Sequence, residues 1–226
     1  NLLLFLYELV NFVIYNMFII DFDDTLFNTH DFKYERLEAV KTLGVSEEAY
    51  WETYKQARND EDGTFTYSDE LHAEKLGEKK FDKEKVLEAL QGVNNKMNSF
   101  LHDGAIELLE FLKQKNKEMI LLSLGQKSFQ ELKTRESGVY DYFDRVFMVD
   151  DTKEHILEKI FKDTKQDVAL FINDKVEETK ELHNAFPNMN VVLKVSDNFS
   201  VEEYKKGGFT FFKTLAEIKE YVQEKS

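Results

Sequence analysis

The chain has 226 residues, of which 42% are hydrophobic, including 20 Phe and 10 Tyr, enough for one large domain or one domain with an insertion. The formal net charge of −14 argues against nucleic acid as a partner, because phosphate backbones are bound by clustered Lys and Arg. The absence of Cys excludes disulfides, thiolate catalysis and Cys-ligated metals, and it fits the reducing, cytoplasmic location that we expect.

An apolar stretch opens the chain and runs on to Ile20 with few polar interruptions. A transmembrane helix needs about 20 predominantly apolar residues, and this run reaches that length only by including residues 17–20, which a core strand requires. The stretch lacks the basic start and the small-residue cleavage site of a signal peptide. We predict that residues 1–16 lie outside the catalytic fold, as an over-extended reading frame or a fragment of an upstream segment. A membrane anchor and an additional packed element are the alternatives.

From residue 17 onward, short apolar runs alternate with amphipathic segments. The runs are rich in Ile, Val, Phe or Leu and are flanked by polar residues, as strands buried on both faces are. Helical segments near residues 126–137, 152–164 and 176–186 separate the later runs, and this alternation predicts βαβ units and a parallel sheet. The predicted strands cover residues 17–20, 119–122, 146–149, 168–172 and 191–193, followed by a late strand at 209–212 and a closing helix at 215–224.

Residues 28–100 contain no convincing buried strand. Their charged segments have helical periodicity, and Ser46 before two Glu residues predicts the start of a helix that Gly44 separates from the one before. The predicted helices cover residues 35–43, 47–58, 70–76 and 83–97. We therefore expect an α/β core formed by residues 17–27 and 101–226, interrupted directly after its first strand by a helical insertion.

Two carboxylates, Asp21 and Asp23, follow the first predicted strand with one residue between them. In an open parallel sheet, ligands bind at this carboxyl edge. With Asp24, three acids lie within four residues, and each pair repels by about 4 kcal/mol at 4 Å and an effective dielectric constant of 20. A cation would relieve that repulsion, and Mg²⁺ prefers carboxylate, water and phosphate oxygens. The alternative is an acidic turn that only ends a strand.

The stretch at residues 18–26 resembles the first motif of the haloacid dehalogenase (HAD) superfamily, an apolar strand followed by Asp-x-Asp-x-Thr. The resemblance implies that Asp21 attacks phosphorus and forms an aspartyl-phosphate. It also implies that Asp23 protonates the leaving group and then deprotonates the hydrolytic water, as carboxylates in two-step mechanisms do. Thr25 is implied to steady the turn and to orient Asp23.

Two later strand ends match the family's second and third motifs in the right order. Ser123 closes an apolar strand and is implied to hydrogen-bond the phosphoryl group, although a Ser in that place alone is more often a helix cap. Lys153 lies between a predicted strand and a helix. The resemblance implies that its charge offsets that of Asp21 and of the phosphoryl oxygens, whereas an isolated Lys there would be read as a surface residue.

Acids at the end of a fourth predicted strand resemble the family's last motif. Asp174 is implied to be a direct Mg²⁺ ligand, together with Asp21 and the backbone carbonyl of Asp23. Glu178, four residues after Asp174, matches the spacing of a second acid of the metal site, and Glu177 is its competitor. Read as structure alone, these acids are charges that a helix N-terminus favours.

The resemblance covers about residues 17–225 and implies a Rossmann-like core with an α-helical cap. The implied function is Mg²⁺-dependent hydrolysis of a small phosphorylated metabolite. A phosphomutase keeps the same motifs and stays an alternative, as does a non-catalytic binding protein on the same scaffold. A dehalogenase is disfavoured, because it lacks an acid at the position of Asp23 and needs no metal.

Other residues of interest lie outside these motifs. His155 is interpreted as a surface residue, and Trp51 as part of the core of the helical insertion. The candidates for side chains that face a substrate, in the insertion or directly before it, are Phe27, Tyr54, Arg58, Tyr67 and Asn94. They form no recognisable specificity code.

Overall fold

The structure, a computed structural model, describes residues 15–61, 63–163 and 168–225. Within these residues, six strands form one parallel sheet. The strand order is β3-β2-β1-β4-β5-β6. The strands are β1 Met17–Ile20, β2 Glu118–Leu124, β3 Arg145–Val149, β4 Ala169–Asn173, β5 Met189–Lys194 and β6 Thr210–Phe212. All six predicted strands are confirmed, and their ends agree with the prediction to within two residues.

Helices fill the connections between these strands. They are α1 Thr29–Lys41, α2 Glu47–Arg58, α3 Asp69–Glu78, α4 Lys83–Asn94, α5 Ala105–Gln114, α6 Lys127–Glu136, α7 Glu154–Asp163, α8 Val176–Ala185, α9 Val201–Gly207 and α10 Leu215–Lys225. Short 3₁₀ turns cover Met97–Phe100 and Tyr140–Tyr142. The parallel sheet with its helical connections confirms the predicted α/β, Rossmann-like fold class.

Strand β1 lies at the centre of the sheet, where it pairs with β2 on one side and β4 on the other. Phe18 and Ile20 pack into one hydrophobic cluster and Met17 and Ile19 into another, so both faces of the strand are covered. The carboxyl ends of these three neighbouring strands therefore meet at one edge of the sheet. The residues that follow them, starting with Asp21, are brought together there.

The N-terminal boundary of the packed unit lies before the predicted one. Tyr15 is 3% exposed and packs against Phe18, with their ring centroids 6.1 Å apart, and the backbone N–H of Asn16 donates to the carbonyl of Val168 at 2.9 Å. The prediction that residues 1–16 lie outside the fold is therefore wrong for its last two residues. Residues 1–14 lie outside the described part of the chain. Among the helices of the described part, none is long and apolar enough to cross a membrane.

Helices α1 to α4 pack around a hydrophobic cluster of their own, which includes Leu37, Val40, Tyr50 and Leu90. The side chain of Ser46 accepts a hydrogen bond from the backbone N–H of Ala49, which confirms the predicted helix start. A separate cluster is what an inserted cap requires. The division of the chain into a core and a cap at residues 28–100 stays a prediction.

A buried arginine ties three of these helices together. The guanidinium of Arg36, on α1, forms an ion pair with Asp69 of α3 and donates to Asn94 Oδ1 of α4 at 2.7 Å. It also donates to the hydroxyl of Tyr67, and the amide of Asn94 donates to Asp69 at 2.6 Å. A buried ion pair is tolerated when its remaining donors and acceptors are also paired, so this network fixes the relative positions of the helices.

The same network leaves a histidine buried without charge. His72 is fully buried, with its ring nitrogens 3.1 Å from the hydroxyls of Thr53 and Tyr67. Burial and the nearby positive charge of Arg36 lower the pKa of His72 to about 3. The imidazole is therefore neutral at physiological pH.

This histidine is expected to make the stability of the chain depend on pH. Because the pKa is about 3 in the folded chain against an ordinary value of 6.5, the unfolded chain takes up a proton here as the pH falls below 6.5. Between pH 7 and pH 5, His72 should therefore lower the free energy of unfolding by about 2 kcal/mol. Urea unfolding of His72→Gln at both pH values should lack that part of the decrease. His155→Gln, which changes a 41%-exposed side chain, should retain it, and equal decreases in the two variants would contradict the assignment.

Candidate active site

Asp21 follows β1 directly and is 3% exposed. Its Oδ1 accepts a hydrogen bond from Lys153 Nζ at 2.6 Å, and its Oδ2 accepts one from Thr25 Oγ1 at 3.1 Å. Burial raises the pKa of Asp21, and the ammonium of Lys153 opposes that shift. Two donors thus fix the orientation of the carboxylate, and Thr25 contacts Asp21 rather than Asp23.

Lys153 lies just before α7, and its side chain is buried between two acids. Besides Asp21, its Nζ donates to Glu178 Oε2 at 2.8 Å, and the Asn173 Oδ1 atom lies 3.5 Å away. Burial alone would lower the pKa of Lys153, but the two carboxylates raise it, so that the side chain stays an ammonium ion. The predicted pairing of Lys153 with Asp21 is present.

Polar atoms without partners lie at the ends of β2 and β4. Within the described part of the chain, neither carboxylate oxygen of the buried Asp174 has a hydrogen-bond partner, nor does the hydroxyl of Ser123. Burial and the charge of Asp21 raise the pKa of Asp174 to about 8. Buried polar groups are nearly always paired, and an unpaired one is costly. These atoms are therefore available for a ligand.

Of the two competing glutamates, Glu178 is the one that reaches the site. Its Oε2 accepts hydrogen bonds from Lys153 and, at 2.9 Å, from the amide of Asn173. Burial opposes ionisation of Glu178, but Lys153 lowers its pKa. The side chain of Glu177 is 81% exposed and pairs with Lys180. Whether Glu178 contacts a metal stays a prediction, because its carboxylate here is paired with Lys153.

The carboxylate of Asp23 is turned towards helix α6. Its Oδ1 forms an ion pair with Lys133 and accepts from Thr29 Oγ1, and its Oδ2 accepts from Gln130 Nε2 at 2.6 Å. Although burial opposes it, the ammonium of Lys133 holds the pKa of Asp23 well below its usual range. In this conformation Asp23 is an anion engaged by three donors.

The partners of Asp23 were not predicted as site residues. Gln130 and Lys133 are three residues apart on α6, the helix that follows the Ser123 strand, and this spacing places them on one helix face. Their spacing on the predicted helix after the Ser123 strand was a signal that the sequence contained. The chain also adopts a left-handed conformation at Asp24, with φ 58°, a conformation in which Asp is more common than most residues.

A cavity of about 360 Å³ lies between the helical region and the sheet edge. It reaches the site at Asp23, Asp24 and Lys175. Of the candidate substrate-facing residues, Tyr54, Arg58 and Tyr67 line it, together with four more basic and four more aromatic residues. These are Lys33, Arg36, Lys133, Lys175, Phe32, Phe65, Phe129 and Phe199.

The remaining candidates have other roles. Phe27 is fully buried and stacks on Phe22, with ring centroids 5.0 Å apart, and Asn94 belongs to the Arg36 network. Trp51 packs against the cluster of the helical region. His155 is partly exposed at the surface, with its Nδ1 atom 3.4 Å from Asp151 Oδ1. The interpretations of Trp51 and His155 are thus confirmed, whereas Phe27 and Asn94 do not line the cavity.

The chain matches the sequence model of a known protein family. The model of haloacid dehalogenase-like hydrolases matches residues 15–185, a segment that contains Asp21, Ser123, Lys153 and Asp174. The chain belongs to the haloacid dehalogenase-like hydrolase family. The resemblance inferred from the motifs is confirmed, while a search of curated proteins gives no significant match.

Solved structures share the fold of this HAD family member over most of its length. A protein described as a haloacid dehalogenase-like hydrolase from Burkholderia xenovorans LB400 is 19% identical, with a TM-score of 0.71 and coverage of 92% of this chain and 96% of its own. A dehalogenase solved as an intermediate complex is 16% identical, with a TM-score of 0.64 and coverage of 92% and 97%. A protein described as a predicted phosphatase from Clostridium acetobutylicum is 17% identical, with a TM-score of 0.58 and coverage of 94% and 100%. At such identities the likeness establishes the fold and leaves the reaction open.

Proposed function

We propose that this HAD hydrolase is a Mg²⁺-dependent phosphatase that hydrolyses a small phosphate monoester through an aspartyl-phosphate on Asp21. The observation that carries the proposal is the pair of unpartnered carboxylate oxygens on Asp174, buried at the end of the strand next to that of Asp21. Two neighbouring buried acids, of which one lacks any donor, form an environment that a divalent cation would stabilise.

The donor set fits Mg²⁺. This ion is commonly bound by one or two carboxylates and keeps several waters, so the absence of a cluster of three or more acidic or His side chains in the described residues does not conflict with it. Asp21, Asp174 and the backbone carbonyl of Asp23 would hold the ion. Glu178, which accepts hydrogen bonds from Lys153 and Asn173, would be a further acid of the metal site. When bound, it would offset the negative charge of the two acids and of the phosphoryl group.

The nucleophile in this proposal is the carboxylate of Asp21. One of its oxygens forms a bond to phosphorus as the ester oxygen leaves, which gives an acyl phosphate and an alcohol. Lys153 holds the carboxylate in place through its 2.6 Å hydrogen bond and favours its ionised form. The free hydroxyl of Ser123 is available to donate to a phosphoryl oxygen. Catalysis then rests mainly on positioning and charge stabilisation, as phosphoryl transfer generally does.

Asp23 is the proposed general acid and base. It would protonate the leaving oxygen and then take a proton from the water that hydrolyses the acyl phosphate and releases Asp21. In the conformation described here, its carboxylate is paired with Lys133 and holds no proton to donate. We infer that the Asp23–Lys133 pair opens when the substrate enters the adjoining cavity, and that Asp23 then takes up a proton from solvent before it protonates the leaving oxygen.

An acid at the position of Asp23 favours phosphate ester hydrolysis over dehalogenation. A dehalogenase needs no proton for its halide leaving group, whereas an alkoxide leaving group requires one. A phosphomutase would need the same acid and base. It is distinguished by its product, because it would release a phosphorylated isomer and little inorganic phosphate.

A metal titration tests the proposal. Release of inorganic phosphate from a panel of sugar phosphates, nucleotides and phospho-acids should stop with EDTA and return with Mg²⁺, while Ca²⁺ should inhibit because of its larger and less regular coordination shell. Asp174→Asn should raise the Mg²⁺ concentration needed for half-maximal activity by about tenfold or more, and Glu178→Gln by less. Glu177→Gln, which alters an exposed neighbour, serves as the control. Full activity in the presence of EDTA would contradict the assignment.

A further inference from the structure

The cavity beside the site concentrates positive charge in an acidic protein. Its lining contains five basic side chains and two acidic ones, whereas the chain as a whole has a net charge of −14. Fields of this kind in a cleft raise the local concentration of ligands of the opposite charge. The cavity is therefore suited to an anionic ligand.

The basic side chains differ in what neutralises them. Arg36 pairs with Asp69, and Lys133 pairs with Asp23. Within the described part of the chain, no carboxylate lies within ion-pair distance of Lys33 or Arg58, and the Arg58 guanidinium donates only to the neutral amide of Asn59 at 3.1 Å. These two charges are left for another partner.

Aromatic rings hold both of these cations. The ammonium of Lys33 lies 5.4 Å from the ring centroid of Tyr54, and the guanidinium carbon of Arg58 lies 4.8 Å from that of Phe65. A cation–π contact orients a charge without neutralising it. Both rings also line the cavity, as Lys33 and Arg58 do. Each cation therefore lies beside an aromatic ring in the cavity wall.

The two cations are separate in the fold from the groups that handle the phosphoryl group. Lys33 lies on α1 and Arg58 ends α2, whereas Asp21, Ser123 and Lys153 lie at the sheet edge. Lys175, another basic residue of the cavity lining, belongs to that edge, because it directly follows Asp174 after the end of β4. An anion at Lys33 and Arg58 would therefore be a different group from the one being transferred.

On the basis of the proposed phosphatase function, we propose that Lys33 and Arg58 bind a second anionic group, which lies on the part of the substrate that leaves with the ester oxygen. The substrate class is a phosphate ester whose alcohol carries a carboxylate or a further phosphate. A volume of about 360 Å³ is at the small end of ligand pockets, which favours a compact phosphorylated acid or a compact bisphosphate.

Paired substrates test this subsite. With Mg²⁺ present, kcat/KM for phosphoglycerate should exceed that for glycerol phosphate, its counterpart without the carboxylate, by about tenfold or more. Fructose bisphosphate against fructose 6-phosphate tests the alternative that the second anion is a phosphate. In the double variant Lys33→Gln, Arg58→Gln, the ratio of the two kcat/KM values should fall close to one. The main cause should be a higher KM for the substrate that carries the second anionic group. Lys55→Gln, at an exposed position of α2 outside the cavity lining, should keep the wild-type preference.

The outcomes separate the two proposals. Hydrolysis of p-nitrophenyl phosphate, which has no second anion, reports the phosphatase function by itself. A chain that hydrolyses neither this ester nor any other phosphate ester tested would overturn both proposals. If the wild type hydrolyses that ester but shows no preference in either substrate pair, the anionic subsite is wrong and the phosphatase function stands. A preference that survives the double variant would also overturn the assignment of Lys33 and Arg58.

Discussion

Asp21→Asn is expected to lower kcat by about 10⁴-fold or more on every phosphate ester that the wild type hydrolyses. An amide is a poor nucleophile, and no other carboxylate has the position that Asp21 holds between Lys153 and Thr25. Asparagine has nearly the same shape, and its Oδ1 can still accept the hydrogen bond from Lys153. The loss should therefore reflect chemistry rather than misfolding.

The control for this variant is an Asp→Asn change of the same size at an exposed position, Asp141. Thermal unfolding and circular dichroism of the two variants establish that both are folded, and steady-state phosphate release then gives kcat. Turnover by Asp21→Asn within tenfold of the wild type would show that another residue attacks phosphorus.

Asp23→Asn is expected to cost 10²- to 10⁴-fold in kcat on alkyl phosphates, a range typical of the loss of a general acid–base. The loss should be below about tenfold for formation of the phosphoenzyme from p-nitrophenyl phosphate, because that leaving group departs without a proton. Rapid-quench measurement of p-nitrophenol release isolates this step. Equal losses on the two kinds of substrate would contradict the proposed role of Asp23 as the acid.

The ion pair with Lys133 must be controlled for in this experiment. Asp23→Asn leaves the buried ammonium of Lys133 without its carboxylate, and breaking a buried pair from one side is strongly destabilising. The double variant Asp23→Asn, Lys133→Met removes both charges and should regain stability, but it should not regain activity on alkyl phosphates. A double variant with wild-type kcat on those substrates would show that Asp23 matters only as the partner of Lys133.

The meeting of Asp21, Ser123, Lys153 and Asp174 could be predicted because it follows from chain direction. Each residue comes just after an apolar run, and parallel strands bring their carboxyl ends to the same edge. The two-residue spacing of Asp21 and Asp23 similarly predicted two acids at that edge. It did not predict that their carboxylates would have different partners, Lys153 for one and Lys133 for the other.

Side-chain pairs between distant helices could not be predicted from local patterns. The sequence analysis did not single out Arg36 or Asp69, yet they form a buried pair, because α1 and α3 pack with these side chains facing inward. Helix α5 is different, since its buried residues Ala105, Leu108, Leu109 and Leu112 follow a helical period that the sequence contains. The short α9 lacks a comparable stripe, with Tyr204 as its only buried residue.

Chemical trapping of the phosphoryl group on Asp21 tests the central claim most directly. After a rapid acid quench during turnover with Mg²⁺, borohydride reduces an aspartyl-phosphate to homoserine, which peptide mass spectrometry can locate. We expect homoserine at position 21 in the wild type when substrate and Mg²⁺ are both present, and none with EDTA or in Asp21→Asn. An enzyme that turns over its substrate while position 21 stays aspartate and another residue carries the label would contradict the account.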